Sequence, residues 1–321
     1  MLWVLGALFA VVNGVNDGAT LVGGGLKIPA MRPITALLLL AVGLAAVPLV
    51  LGTQVATTLA SRLVPLDHPD GAALLVAALV AAMAVVAVLS RQGLPTSLTL
   101  ALIGGITGAG LGFGLAVQWR VVAFVLLLGV LAPLFGAAGG FLLSRLPIRL
   151  RHGAHMRGPL RILHRAAFGL QCIAYGANDG QKMLAVVAVA AGTAGAGGVE
   201  PRPGQLVFIA GCFVVGVLIG LPRIAATVST GVLATRPADA IAAEWSSGAA
   251  VLVSGALGAP VSMTQSVAGA LVGAGMRYSR LRVRWPVVAR LVAAWVVTLP
   301  SAMVAAALAG FALRVVTGGG S

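Results

Sequence analysis

The chain has 321 residues, of which 60% are hydrophobic and 9% charged, with a net charge of +14 and a mean hydropathy of +1.06. A soluble domain carries roughly 25% charged residues, so this composition excludes one and defines an integral membrane protein. The positive charge collects in loops between apolar runs, as the positive-inside rule expects, which makes the lipid bilayer the partner and excludes nucleic acid; the runs reach the ~20 residues of a crossing helix, and the weak alternating segments of a β-barrel are missing.

The first segment, Met1 to Val12, is apolar, lacks a basic n-region and reads as a retained helix rather than a cleaved signal. It runs into Gly14-Val15-Asn16-Asp17-Gly18. Helices are expected near 2–25, 34–52 and 119–145, with a shorter amphipathic piece over 53–66. Segments 71–90 and 96–116 flank a Gly-Leu-Pro-Thr-Ser turn and read as two arms of a re-entrant hairpin with that turn at membrane depth. Residues 1–145 therefore form a first transmembrane repeat. A basic cytoplasmic linker, 146–161, separates it from a second repeat over 162–316, and 317–321 is a flexible Gly-rich tail. The stretch Arg145 to Arg165 holds six arginines and three histidines and reads as a solvated loop against lipid headgroups. Cys172 and Cys212 lie in apolar segments without metal-ligand spacing, so they read as small core residues.

The chain matches itself at long range. Asn16-Asp17 recurs at Asn178-Asp179, 162 positions on. Pro95-Thr96-Ser97-Leu98-Thr99 recurs as Pro260-Val261-Ser262-Met263-Thr264, offset 165. Trp119 recurs at Trp285 and Pro133 at Pro300, offsets 166 and 167. Four matches in one order, with a slowly drifting offset, define two repeats. With a re-entrant hairpin each repeat makes three full crossings, an odd number, so the halves are inverted. Lys27, Arg32, the linker, Arg223, Arg236 and Arg277 to Arg284 then share one side, the cytoplasm. Both termini fall outside, together with Arg62, Arg120, Arg202, Arg314, Asp67 and Asp70. The fold class expected is an all-α integral membrane protein of two inverted-topology repeats, each with an interrupted helix and a re-entrant helical hairpin.

The chemistry sits in the repeated motifs. Only seven residues are acidic, and Asp17 and Asp179 lie where a carboxylate costs roughly 2.5–3.5 kcal/mol on insertion scales. Glycines bracket both Asn-Asp pairs and allow the helix to open there. Asn16, Asp17, Asn178 and Asp179 offer hard oxygen ligands suited to Na+, and an Asp alone could carry H+. The two Pro-x-Ser-x-Thr turns place Ser97, Thr99, Ser262 and Thr264 at helix N-termini, where free N–H groups and the positive dipole end favour an oxyanion. Cation sites beside anion sites point to an anion symporter. A serine or threonine in such a helix can equally bond its own backbone. Gln181 and Lys182 follow the second pair; Lys182, so near the break, reads as buried rather than snorkelling to an interface.

These residues resemble the inorganic phosphate transporter (PiT) family, whose members carry Gly-Ala-Asn-Asp twice, the second time followed by x-Gln-Lys, and Pro-Val-Ser-Thr-Thr-His twice. Gly176-Ala177-Asn178-Asp179-Gly180-Gln181-Lys182 matches closely, as do Ala243-Glu244, Ala259-Pro260-Val261-Ser262 and Ala294 to Pro300. The resemblance covers nearly the whole chain. It implies uptake of inorganic phosphate driven by Na+ or H+, with Ser97, Thr99, Ser262, Thr264, Gln181 and Lys182 around the ligand, and no cofactor besides the coupling ion. The sequence departs from the pattern at Val15, Thr20 and Tyr175, and at Leu98, Leu100, Met263 and Gln265 in the turns, which remove hydroxyls and imidazoles from the anion shell. A sulfate-carrying branch resembles the same family, so sulfate or another oxyanion stands as the alternative cargo.

Arg91, four residues before Pro95, has two readings. Either it snorkels to an interface, or its guanidinium points into the cavity and grips the oxyanion through two parallel N–H bonds. Readings of a different class are an intramembrane enzyme using Asp17 and Asp179 as an acid–base pair, and a channel. Neither needs duplicated half-chains, whereas alternating access does. A homo-oligomer is left open, and the expected location is the cell membrane.

Overall fold

The computed structural model describes residues 1–26, 31–91, 96–145, 157–195, 197–227, 237–279, 281 and 283–316. Lys27, Pro95, Arg236, most of the basic linker and the C-terminal tail lie outside the described residues. Long apolar runs fold as helices because a bilayer offers backbone N–H and C=O groups no other partners. The first run gives α1 (Leu2–Asn13) and α2 (Ala19–Gly25), joined by a π-helical turn, Gly14–Gly18. Then come α3 (Pro33–Leu51), α4 (Gln54–Thr57) with a second π-turn (Thr58–Arg62), α5 (Gly71–Arg91), α6 (Leu98–Phe113) and α7 (Trp119–Arg145).

The second half opens with α8 (Arg157–Tyr175), a π-turn (Gly176–Gly180) and α9 (Gln181–Ala190). Because α8 starts at Arg157, residues 157–161 are helical rather than linker. A two-stranded antiparallel hairpin follows, β1 (Ala194–Gly195) and β2 (Gly198–Val199), with Ala194 opposite Val199. The chain ends with α10 (Pro203–Thr227), α11 (Pro237–Ala256), α12 (Met263–Met276) and α13 (Trp285–Val316).

The helices do not open at the Asn-Asp pairs. Residues flanking both π-turns keep right-handed helical angles, so each interruption is a single-turn π-bulge. Such a bulge re-aims side chains without freeing a stretch of backbone. Among the described residues six segments are long and apolar enough to cross a membrane: Leu2–Gly25, Pro33–Leu51, Gly71–Arg91, Trp119–Arg145, Pro203–Pro222 and Trp285–Val316. The multi-pass character expected from composition is therefore present. The second hairpin arm, α6, has 16 residues and is short for a crossing.

The halves are interlocked. The hairpin α5–α6 packs on α13, the last helix of the other half, and α11–α12 packs on α7. Likewise α3 packs on α8 and the second Asn-Asp turn, while α10 packs on α1 and the first. Small residues make these contacts possible. A side chain added at Gly104 or Gly108 of α6 would collide with the Leu299 or Met303 carbonyl of α13. One at Gly269 or Gly273 of α12 would collide with the Pro133 or Ala137 carbonyl of α7. Close backbone approach through small residues four apart is a recurrent way of associating helices in lipid, where burial itself supplies little. Gly273→Val should therefore lower stability by about 1–3 kcal/mol, read as thermal unfolding in detergent. Gly129→Val, which has open space around it, is the control; equal stability of the two variants would disprove the close contact.

Candidate functional site

The polar residues of the repeated motifs converge where the halves meet. Asp17 is 2% exposed and Asp179 fully buried. The Lys182 ammonium, 1% exposed, donates to Asp179 Oδ1 at 2.7 Å, to Thr99 Oγ1 at 2.7 Å and to the Val261 carbonyl. Lys182 thus ties the first hairpin turn to the second, and both turns to the helix α8–α9. Its three N–H bonds are all committed to the protein. Asp17 lies within electrostatic reach of Asp179 and Lys182, with Thr264 beside its carboxylate. Residues at the N-terminal ends of α6 and α12 therefore meet the second Asn-Asp turn and Lys182.

The four hydroxyl residues sit at the expected helix ends. Ser97 caps α6, accepting from Leu100 N–H at 3.3 Å, and Ser262 caps α12, accepting from Gln265 N–H at 3.4 Å. Ser262 also shares a 3.0 Å hydrogen bond with Thr264. Other polar groups at the cluster are left without partners among the described residues: Asp179 Oδ2, the Tyr175 hydroxyl and Gln265 Nε2. Tyr175, its ring tilted at 45° to Phe213 with centroids 5.5 Å apart, also lies within electrostatic reach of both aspartates. Tyr175 and Gln265 appear in the sequence only as departures from a family pattern; their unpartnered groups bring them into the site.

Several expected residues do other work. The amide of Asn178 is committed to the second turn, donating to the Ala259 carbonyl at 3.0 Å and accepting from Val261 N–H at 3.1 Å. Asn16 is only half-buried, and its carbonyl accepts from Thr20. Gln181 Oε1 accepts from Val55 N–H at 2.8 Å and Ala56 N–H at 3.2 Å, and its Nε2 donates to the Gly52 carbonyl. It caps α4, which has no side-chain cap of its own. Gln181→Leu should destabilise the fold by about 1–3 kcal/mol, the cost of orphaned buried donors. Amide exchange at Val55 and Ala56 should speed up accordingly; unchanged protection there would rule out the cap. Arg91 ends α5 with its side chain exposed, outside the buried cluster. The cavity-facing reading gains no contact from this placement.

A second buried polar cluster falls within the stretch read as a solvated loop. His164 is fully buried, with Nδ1 2.8 Å from Glu244 Oε2 and Nε2 2.9 Å from the Gly25 carbonyl. A carbonyl only accepts, so Nε2 carries a proton, and a further proton is shared between Nδ1 and the carboxylate. The contact joins α8, α11 and the end of α2 across the two halves. Six arginines nearby in sequence hid this histidine from a composition-based reading.

A multi-pass membrane protein with ionisable side chains buried between two halves belongs to the class that moves solutes across bilayers. Comparison with known proteins supplies the family. The model of the phosphate transporter family matches residues 13–157 and 148–306. A probable low-affinity inorganic phosphate transporter of Mycobacterium tuberculosis is 33% identical over 307 residues, covering 92% of this chain and 72% of that protein. A protein of the same description from Bacillus subtilis is 28% identical over 317 residues, covering 96% of this chain and 95% of that protein. A solved structure described as the sodium-dependent phosphate transporter superposes with a TM-score of 0.79 at 19% identity, covering 98% of each chain. The chain belongs to the phosphate transporter family, as its motifs indicated. That is a family of transporters and not of enzymes, so the reading of Asp17 and Asp179 as catalytic carboxylates is set aside.

Proposed function

We propose that the chain is a secondary transporter that takes inorganic phosphate across the cell membrane together with a cation, Na+ in the first instance. The observation that carries this reading is the charge of the buried cluster. Asp179 and Lys182 form an ion pair, which leaves Asp17 as the uncompensated charge. A site of net negative charge in a low-dielectric interior repels an oxyanion. A cation bound at Asp17 removes that repulsion, so anion binding depends on cation binding, which is the thermodynamic content of coupling. Asp179 Oδ2, the Tyr175 hydroxyl and Gln265 Nε2, unpartnered beside it, supply further acceptor and donor capacity. The Ser97, Thr99, Ser262 and Thr264 hydroxyls frame the place where the anion would sit.

The same reading takes the two halves as inverted, with the linker cytoplasmic and both termini outside. Its support is the meeting of the two Pro-x-Ser-x-Thr motifs at Lys182 and the sidedness of the arginines along the sequence. The sodium-dependent relative supports Na+ over H+. Phosphate is preferred to sulfate on family grounds, while Leu98 and Met263 keep sulfate as the second candidate. Purified protein in proteoliposomes decides: labelled phosphate and sulfate are offered separately, with Na+ and pH gradients imposed one at a time. Phosphate accumulation driven by an inward Na+ gradient is expected. Accumulation driven only by pH would replace Na+ with H+, and movement indifferent to every gradient would remove the coupling.

A further inference from the structure

A polar depression of about 580 Å³ opens beside the β1–β2 hairpin, lined among others by Thr53, Thr57, Arg62, Thr193, Glu200 and Arg202. It is built from both halves: Arg62 ends the π-turn after α4, and Arg202 precedes α10. Thr53 donates to the Val199 carbonyl at 2.7 Å and Ser61 to the Gly195 carbonyl at 3.0 Å, which fixes the hairpin over α4. The wall at Thr53 and Gln54 is in turn held to Gln181 through Gly52, Val55 and Ala56. Gln181 adjoins Lys182 in sequence, so the wall of the depression is bonded to the residue that precedes the ammonium of the buried cluster.

Its arginines are anomalous. In the inverted topology only a few arginines face outward, against the general bias, and two of them line this one depression. Among the described residues neither Arg62 nor Arg202 forms an ion pair with Glu200 or any other carboxylate. Arg62 has a 3.3 Å contact to Gln54. Two guanidiniums and several hydroxyls suit a tetrahedral oxyanion. A carboxylate among them suits only an oxyanion that carries a proton. An ionised carboxylate can only accept. Near neutral pH inorganic phosphate keeps at least one P–OH to donate, whereas sulfate has none and would face Glu200 with like charge. A site built to bond a hydroxyl rejects the analogue that lacks it.

We propose that this depression is an outer capture site for protonated phosphate, in which Arg62 and Arg202 hold the anion and Glu200 excludes sulfate. The proposal rests on the phosphate-transport reading above and deepens it by assigning selectivity to a place outside the buried cluster. The exposed position of all three side chains makes their substitution compatible with folding. The test is the initial rate of labelled phosphate uptake into proteoliposomes, with sulfate as competitor, for wild type, R62Q, R202Q, R62Q/R202Q and E200Q. Each single arginine variant should raise the apparent KM about tenfold, the loss of one charge-assisted contact, at an unchanged maximal rate. E200Q should become sensitive to sulfate at concentrations that leave the wild type unaffected. A wild-type KM in R62Q/R202Q overturns the capture site, and an E200Q protein still indifferent to sulfate overturns the discriminating role of Glu200. Equilibrium binding of labelled phosphate to the detergent-solubilised protein separates this from the transport reading. Weaker binding by R62Q/R202Q supports the site even without uptake; equal binding by the two proteins, or none by the wild type, overturns it.

Discussion

Asp17→Asn is expected to abolish cation-driven uptake while the protein remains folded and at least as stable as the wild type. The two aspartates of the repeat look equivalent in sequence, but their surroundings differ. Asp179 is held by the Lys182 ammonium at 2.7 Å. Asp17 faces Asp179 as a like charge, with Thr264 beside it. Removing its charge relieves repulsion and buried desolvation, and the carboxamide keeps nearly the same shape. Stability should therefore hold or rise, while the group proposed to draw a cation into the site is lost. Thermal unfolding in detergent measures the first effect, and phosphate uptake against empty liposomes measures the second. Uptake by Asp17→Asn at the wild-type rate, with unchanged dependence on Na+, would remove Asp17 from the coupling site.

The asymmetry between the two aspartates shows how far the sequence could be read. Charge in an apolar run is costly wherever it occurs, so Asp17 and Asp179 stand out as candidate site residues from the sequence alone, and both are buried. The repeat is visible because its motifs survive in order, and the start of α6 at Leu98 follows from Pro95 and Ser97 just before it. What Lys182 touches is not visible, because Thr99 and Val261 come from turns about 80 positions away in opposite directions. Gln181 is misread for the same reason. Its position beside Lys182 suggests a ligand, yet its amide saturates a helix end 126 positions away. The π-turns are a subtler case: glycines flanking Asn-Asp permit an open helix, but a single extra residue per turn already aims the carboxylate inward. His164 was hidden by its basic neighbours, since a solvated run and the first turns of a buried amphipathic helix share a composition.

Lys182→Met is expected to cost about 3–5 kcal/mol of stability, the loss typical when one partner of a buried ion pair is removed. The substitution keeps the aliphatic stem but leaves Asp179 an unpaired charge with no exposure. It also releases Thr99 and the Val261 carbonyl, which the ammonium joins across the two hairpins. These two losses can be told apart. In the double variant Lys182→Met with Asp179→Leu, no buried charge is orphaned, and replacing a buried ion pair by apolar residues is often neutral. Thermal stability should then recover most of the loss, while uptake stays at background because neither hairpin is any longer tied to the charged site. If the double variant transports phosphate, the ion pair is scaffolding and the site lies elsewhere among the hydroxyls. If Lys182→Met alone is as stable as the wild type, its buried bonds do not hold the hairpins. Folding restored without transport is the outcome that ties the pair to function: the fold can do without a charge between its halves, whereas a transporter that must respond to ions there cannot.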